Sequence, residues 1–222
     1  MTPEFLSNQL EEAAHAQDWT ETDRLVHEFL QDCAVVSGWR GLESQSRTVL
    51  LSACDQPTVR KIDSCLGNLR QFEVALERAV DEAINRAAGR SDIVAIYCEY
   101  FFDGGDGSSM DLFLCDRYTP TDDDWASHFG SSDVVSGPSV ESLLSYDPEF
   151  ELDGLPSVVA DMYAYSKLLC AFGSLVSARA DMPLPFAFAQ HEGAIIYLKP
   201  LANLGIAAQQ IGQAGLPGSS SR

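Results

Sequence analysis

Two short acidic runs are the places in this 222-residue chain where side-chain type and spacing could support chemistry. In the first, Asp103-Gly104-Gly105-Asp106-Gly107 sets two carboxylates among glycines, an oxygen-rich loop of the kind a hard cation favours. A calcium loop also needs a bidentate Glu at its far end. The residues beyond Gly107 return to a strand pattern instead, so this run reads as a turn. In the second run, Asp122, Asp123 and Asp124 precede Trp125, and His128 follows Asp124 by four residues. On a helix that spacing puts a carboxylate and an imidazole on one face, which suits a metal or an acid–base pair. The same carboxylates also suit a helix's first turn, where the dipole favours negative charge, with Trp125 fixing the turn to the core. His191-Glu192 reads as a turn, and His15 and His27 fall in helical stretches. No Gly-x-Ser-x-Gly elbow and no Gly-x-Gly-x-x-Gly phosphate loop is present. Six cysteines are scattered without a Cys-x-x-Cys pair or a nearby His at ligand spacing, so they encode neither a zinc site nor a disulfide framework. No catalytic residue, metal ligand or cofactor is assigned on these patterns.

The elements that must position these runs are legible in outline. Residues 1–90 read as a helical region. After Pro57, apolar residues from Val59 to Ala87 recur at three- and four-residue steps until Gly89, which predicts one long amphipathic helix. Thr20 or Thr22 caps an earlier helix ending near Gly38, and a shorter one covers 42–54. At Asp92 the texture changes. IVAIYCEYFF (93–102) and SMDLFLCDRY (109–118) are rich in β-branched and aromatic residues, and the glycine-rich turn between them predicts a hairpin partly covered on both faces. A helix is expected to start in TPTDDDWASHF, and residues 130–156 read as loop. Ser157 then caps a buried helix over 157–179, and FAFAQ (186–190) with AIIYLKP (194–200) forms a second hairpin. The fold class expected is α+β: a helical N-terminal region, then antiparallel hairpins around a buried helix. Residues 91–202 form the α+β region, abutting the first, and 203–222 a flexible tail.

Charge is the most distinctive property. Residues 92–161 carry sixteen acidic side chains against Arg117 alone, while 1–90 hold fifteen acids and nine bases. An ordinary solvated face mixes both signs. With a pI near 4.3, phosphate-backbone binding is strongly disfavoured, because it needs clustered Lys and Arg. A one-sign field instead steers a partner of opposite sign, raising association rates by roughly 10 to 10³. Like-charge crowding also predicts carboxylate pKa values above their usual range of about 3.9 to 4.3. No apolar run is long enough to span a bilayer and no signal peptide is visible, so a soluble, cytoplasmic, reduced protein is expected.

The order of a helical start, the hairpin DIVAIYCEYFF…SSMDLFLCD, the Trp-bearing DDDWASHF, a buried helix and the closing PFAFAQHEGAIIYLKP resembles small acidic immunity proteins of bacterial polymorphic toxin systems over residues 92–200. That resemblance implies a cytoplasmic inhibitor that binds a toxin domain and has no catalytic residues. Asp103, Asp106, Asp122, Asp123 and Asp124 would then oppose basic groups of the partner, with an exposed Trp125 or a neighbouring aromatic as a desolvated anchor. Two alternatives stay open: a metal-dependent hydrolase using Asp122, His128 and Asp103 or Asp106, and a secretion chaperone or adaptor.

Overall fold

The apolar period of the first ninety residues is expressed as four helices. The computed structural model describes residues 2–66, 69–101, 108–119, 123–144, 154–179, 184–191 and 195–198. Helix α1 (Pro3–His15) is capped by Thr2, whose hydroxyl accepts from the Phe5 N–H, and Pro3 sits where no N–H is needed. Helix α2 (Trp19–Ala53) is capped by Asp18, not by Thr20 or Thr22. The Asp18 Oδ1 accepts from the Glu21 N–H at 3.0 Å, and the Thr22 hydroxyl, already inside the helix, bonds back to the Asp18 carbonyl at 2.9 Å. The stop expected near Gly38 is a break rather than an end: Gly38 takes φ 66° and ψ 179°, and the helix resumes beyond it. The single helix expected after Pro57 is two, α3 (Gln56–Leu66) and α4 (Arg70–Ala87). Gly67 and Asn68 lie between them in the sequence, both poor helix formers that an apolar period does not reveal. Gly89, at φ 79°, ends α4 as expected.

Strands β1 (Ala95–Phe101) and β2 (Ser109–Cys115) form the expected antiparallel hairpin, in register from Ala95 opposite Cys115 to Phe101 opposite Ser109. The helix expected from the acidic run is a single 3-10 turn, Asp123–Ser127. Part of the expected loop is an edge strand, β3 (Phe129–Val135), whose Gly-Ser-Ser-Asp composition carries little β signal. After a short α5 (Glu141–Leu144), helix α6 (Leu155–Ser177) begins behind Gly154, at φ 61°, with Pro156 in its first turn, so Ser157 does not cap it. Strands β4 (Phe186–Gln190) and β5 (Ile196–Tyr197) pair antiparallel as expected.

The sheet order is β3-β2-β1-β4-β5, and β4 lies parallel to β1, from Ile96 beside Phe186 to Tyr100 beside Gln190. The sheet is therefore mixed. Its central strand, β1, is covered on both faces, which is why its sequence is apolar almost throughout. One face, bearing Ile96, Cys98, Leu112, Leu114, Phe186 and Phe188, packs on α6. Tyr165 stacks on Phe188 at 5.3 Å and Phe172 lies 5.8 Å from the same ring, each pair contributing about 0.5–1.5 kcal/mol beyond its buried area. The other side of α6 receives α2. There the Trp39 indole lies on Gly173, where a Cβ would come within 2.5 Å of the ring, and Trp39 Nε1 donates to Ser177 Oγ at 2.9 Å. One continuous apolar core thus runs from Leu6 in α1 to Leu198 past β5, with no seam near residue 90. No described helix is long and apolar enough to cross a membrane.

Candidate partner-binding surface and acidic cleft

Trp125 is held by the 3-10 turn against the second face of the sheet, where it is fully buried. Its indole stands edge-on to Tyr118 at 5.0 Å and to Tyr97 at 6.1 Å, and stacks on Tyr197 at 6.5 Å. Its Nε1 donates to the Tyr197 hydroxyl at 3.3 Å. The expected role as an exposed anchor is therefore overturned: the residue is the keystone of a small aromatic core with Cys115, Ala187 and Ala189. Asp103, Asp106 and Asp122 lie outside the described residues, and for Asp123 and Asp124 only the backbone, in the 3-10 turn, is described. In sequence the first run comes shortly after Phe101, the last residue of β1, whereas Trp125, which follows the second run, packs on Tyr97 near the start of that strand. Seven residues at about 3.3 Å each separate those ends by roughly 20 Å.

Beyond the aromatic core, the second face carries carboxylates. Glu99 and Asp111 are direct cross-strand partners, a like-charge pairing that on its own is unfavourable. Each is held by donors. Glu99 Oε1 accepts from the Tyr97 hydroxyl at 3.3 Å and lies 3.1 Å from His191 Nδ1; Asp111 accepts from Ser109 Oγ and from the Gly137 N–H, both at 2.9 Å. Asp92 and Asp133, by contrast, share the Arg90 guanidinium, which lies just outside the acidic stretch. Arg117 is 3.0 Å from His128 Nε2, so the imidazole expected to pair with the aspartates faces a guanidinium. Among the described residues no group of three His, Cys, Asp or Glu is placed to hold a metal. Burial pushes the thiols of Cys33 and Cys54 up to about 11 and those of Cys115 and Cys170 to about 12, as suits packing rather than reactivity.

Sequence reading missed a cleft of about 300 Å³ where the beginnings of α2 and α6 meet the end of β4. Trp19, Asp23, Asp161, Tyr165 and Gln190 are among its walls. Asp161 reaches solvent, yet it sits in a concavity crowded by protein, and desolvation pushes its pKa up to about 6. Desolvation raises Asp23 as well. The one available signal was Asp161 itself, a lone carboxylate inside an otherwise apolar helix, but Asp23 is far away in sequence. A second cavity of about 460 Å³ lies between α2, α4 and α6; there Lys167 pairs with Glu43 at 2.6 Å and sits over the Tyr163 ring at 5.5 Å.

No protein-family model matches this chain, and comparison with curated proteins and with solved structures returns no significant match.

Proposed function

We propose that this chain is a stoichiometric inhibitor of the immunity type, which binds and neutralises a basic toxin domain in the bacterial cytoplasm. The observation that carries the reading is where the acidic segments attach. The segment after Phe101, the segment ending at Gly154 and the segment after His191 all adjoin one end of the sheet: Gln190 pairs with Tyr100, and Gly154 and Gln190 line the same cleft. Residues 102–107, 145–153 and 192–194 contain seven carboxylates and no Lys or Arg. Glu99 and Asp161 stand at the same end. A field of one sign concentrated there would orient a basic partner before contact and accelerate encounter. The 3-10 turn that begins at Asp123 packs its Trp125 near the opposite end of β1.

Coexpression tests the proposal. Each neighbouring gene whose product alone arrests bacterial growth is expressed with this chain; rescue of growth together with a one-to-one complex is the expected result. If no neighbour's product arrests growth, or none is rescued, the inhibitor reading is wrong. Within a complex, Asp103→Asn with Asp106→Asn should slow association roughly threefold to tenfold at low salt, read by stopped flow. The triple Asn replacement of Asp122, Asp123 and Asp124 should have the smaller effect.

A further inference from the structure

The cleft between α2, α6 and β4 holds negative charge that no described residue answers. Several acids on the helices have ion-pair partners: Arg24 pairs with Glu21 and Glu28, Arg47 with Asp63, Lys167 with Glu43, and Arg179 with Asp81. Asp23 and Asp161 have no such partner. Among the described residues neither takes a hydrogen bond or an ion pair, and the walls of the cleft include no Lys, Arg or His. Two carboxylates that line one concavity without a counter-charge make a site that a cation would stabilise. At the rim stands Trp19, the first residue of α2, with its indole 54% exposed although it is among the largest apolar side chains of the protein. An exposed aromatic face beside carboxylates is the arrangement that attracts organic cations.

We propose that this cleft binds an organic cation, a guanidinium or primary ammonium, with Asp23 and Asp161 as counter-charges and Trp19 as the aromatic wall. The volume, about 300 Å³, lies at the small end of ligand pockets and fits a side-chain-sized group rather than a nucleotide. A divalent metal is a poorer fit, because hard cations want six or more oxygens and the described residues bring no third carboxylate here. The positive ends of α2 and α6 oppose a cation only over their first turns. Asp161 is the seventh residue of α6 and Asp23 the fifth of α2, so both lie past that reach. The raised pKa of Asp161 agrees with a carboxylate lacking its counter-ion.

This inference adds to the docking reading the kind of group a basic partner would insert. The test needs no partner, so the two can fail separately. The full chain, labelled with nitrogen-15, is titrated with capped arginine and lysine amides, with the free diamine cadaverine, and with capped norleucine amide as the uncharged control. Saturable shifts at the Trp19 indole, Gln190 and the first two turns of α6, with a dissociation constant of roughly millimolar, are expected for the cations and not for norleucine. Stronger binding of the capped amides assigns the cation to a protein side chain, and stronger binding of cadaverine to a small molecule; either supports the site. Asp23→Asn and Asp161→Asn should each weaken binding about fivefold and together abolish it, while Trp19→Phe keeps most of it and Trp19→Ala does not. All three positions tested, Trp19, Asp23 and Asp161, are exposed, and circular dichroism verifies that each variant is folded. Absence of saturation with every cation, equal response to norleucine, or unchanged affinity in the double Asn variant overturns the proposal.

Discussion

Trp125 closes the far face of the sheet, and its energetic role follows from the rings around it. Truncation to Ala would leave a cavity among Tyr97, Tyr118 and Tyr197 and strand the Tyr197 hydroxyl contact. A loss of about 3–5 kcal/mol is expected, read from urea unfolding followed by circular dichroism, with Trp125→Phe costing distinctly less. An unchanged midpoint for the Ala variant would show that the residue is not buried. The Trp was visible in the sequence, but its burial was not, because Tyr197 lies 72 residues away and only the β4–β5 hairpin brings it there. Asp161 shows the converse. A carboxylate in an apolar helix was legible as an oddity, yet its cleft is made by α2 and β4, to which no local pattern points.

Elements were legible where one period governs them and illegible where a break or a partner does. The β1–β2 hairpin follows from alternation and a glycine-rich turn, and α6 follows from a wide apolar arc. In contrast, β3 has a Gly-Ser-Ser-Asp middle of low β propensity, and its strand state goes with its pairing to β2. The parallel contact of β4 with β1 leaves no local mark at all. Within α2 the sequence marked a stop at Gly38, and the structure places a kink there. A Cβ at Gly38 would meet nothing within 4 Å, so any penalty for Gly38→Ala comes from the backbone alone. At φ 66° and ψ 179° that penalty should be about 1–3 kcal/mol, seen as a lower melting temperature with helix content kept. Were α2 straight in solution, the same change would raise stability by about 0.4–1 kcal/mol instead.

The charge of the whole molecule, formally −19, bears on how stability responds to acid. Among the described residues the carboxylates raised above their usual range are Asp23 and Asp161, and desolvation raises both. For Asp161 the folded value is about 6 against 3.8 for the free group, so between those values the folded state holds a proton that the unfolded chain has lost. Stability therefore rises as pH falls through 6 towards 4 on this group. Glu21, Asp55 and Asp92 act the other way: hydrogen bonds from Arg24, Thr58 and Arg90 lower their pKa values, and the stability they add is lost in stronger acid. Melting temperatures at low salt should climb from pH 6.5 to 5 and fall below 4, and Asp161→Asn should flatten the climb. A flat wild-type profile would show that the cleft is well hydrated. The parallel pairing of β1 with β4 also has a temporal side. Tyr100 and its neighbour Gln190 are ninety residues apart, so at a synthesis rate of about 5–20 residues per second the middle strand waits roughly 5–20 s on the ribosome as an unprotected edge. During that interval Ile96, Cys98 and Tyr100 are apolar and unsheltered by α6, which makes this strand the stretch most exposed to wrong pairing and a natural client for a chaperone at the exit tunnel.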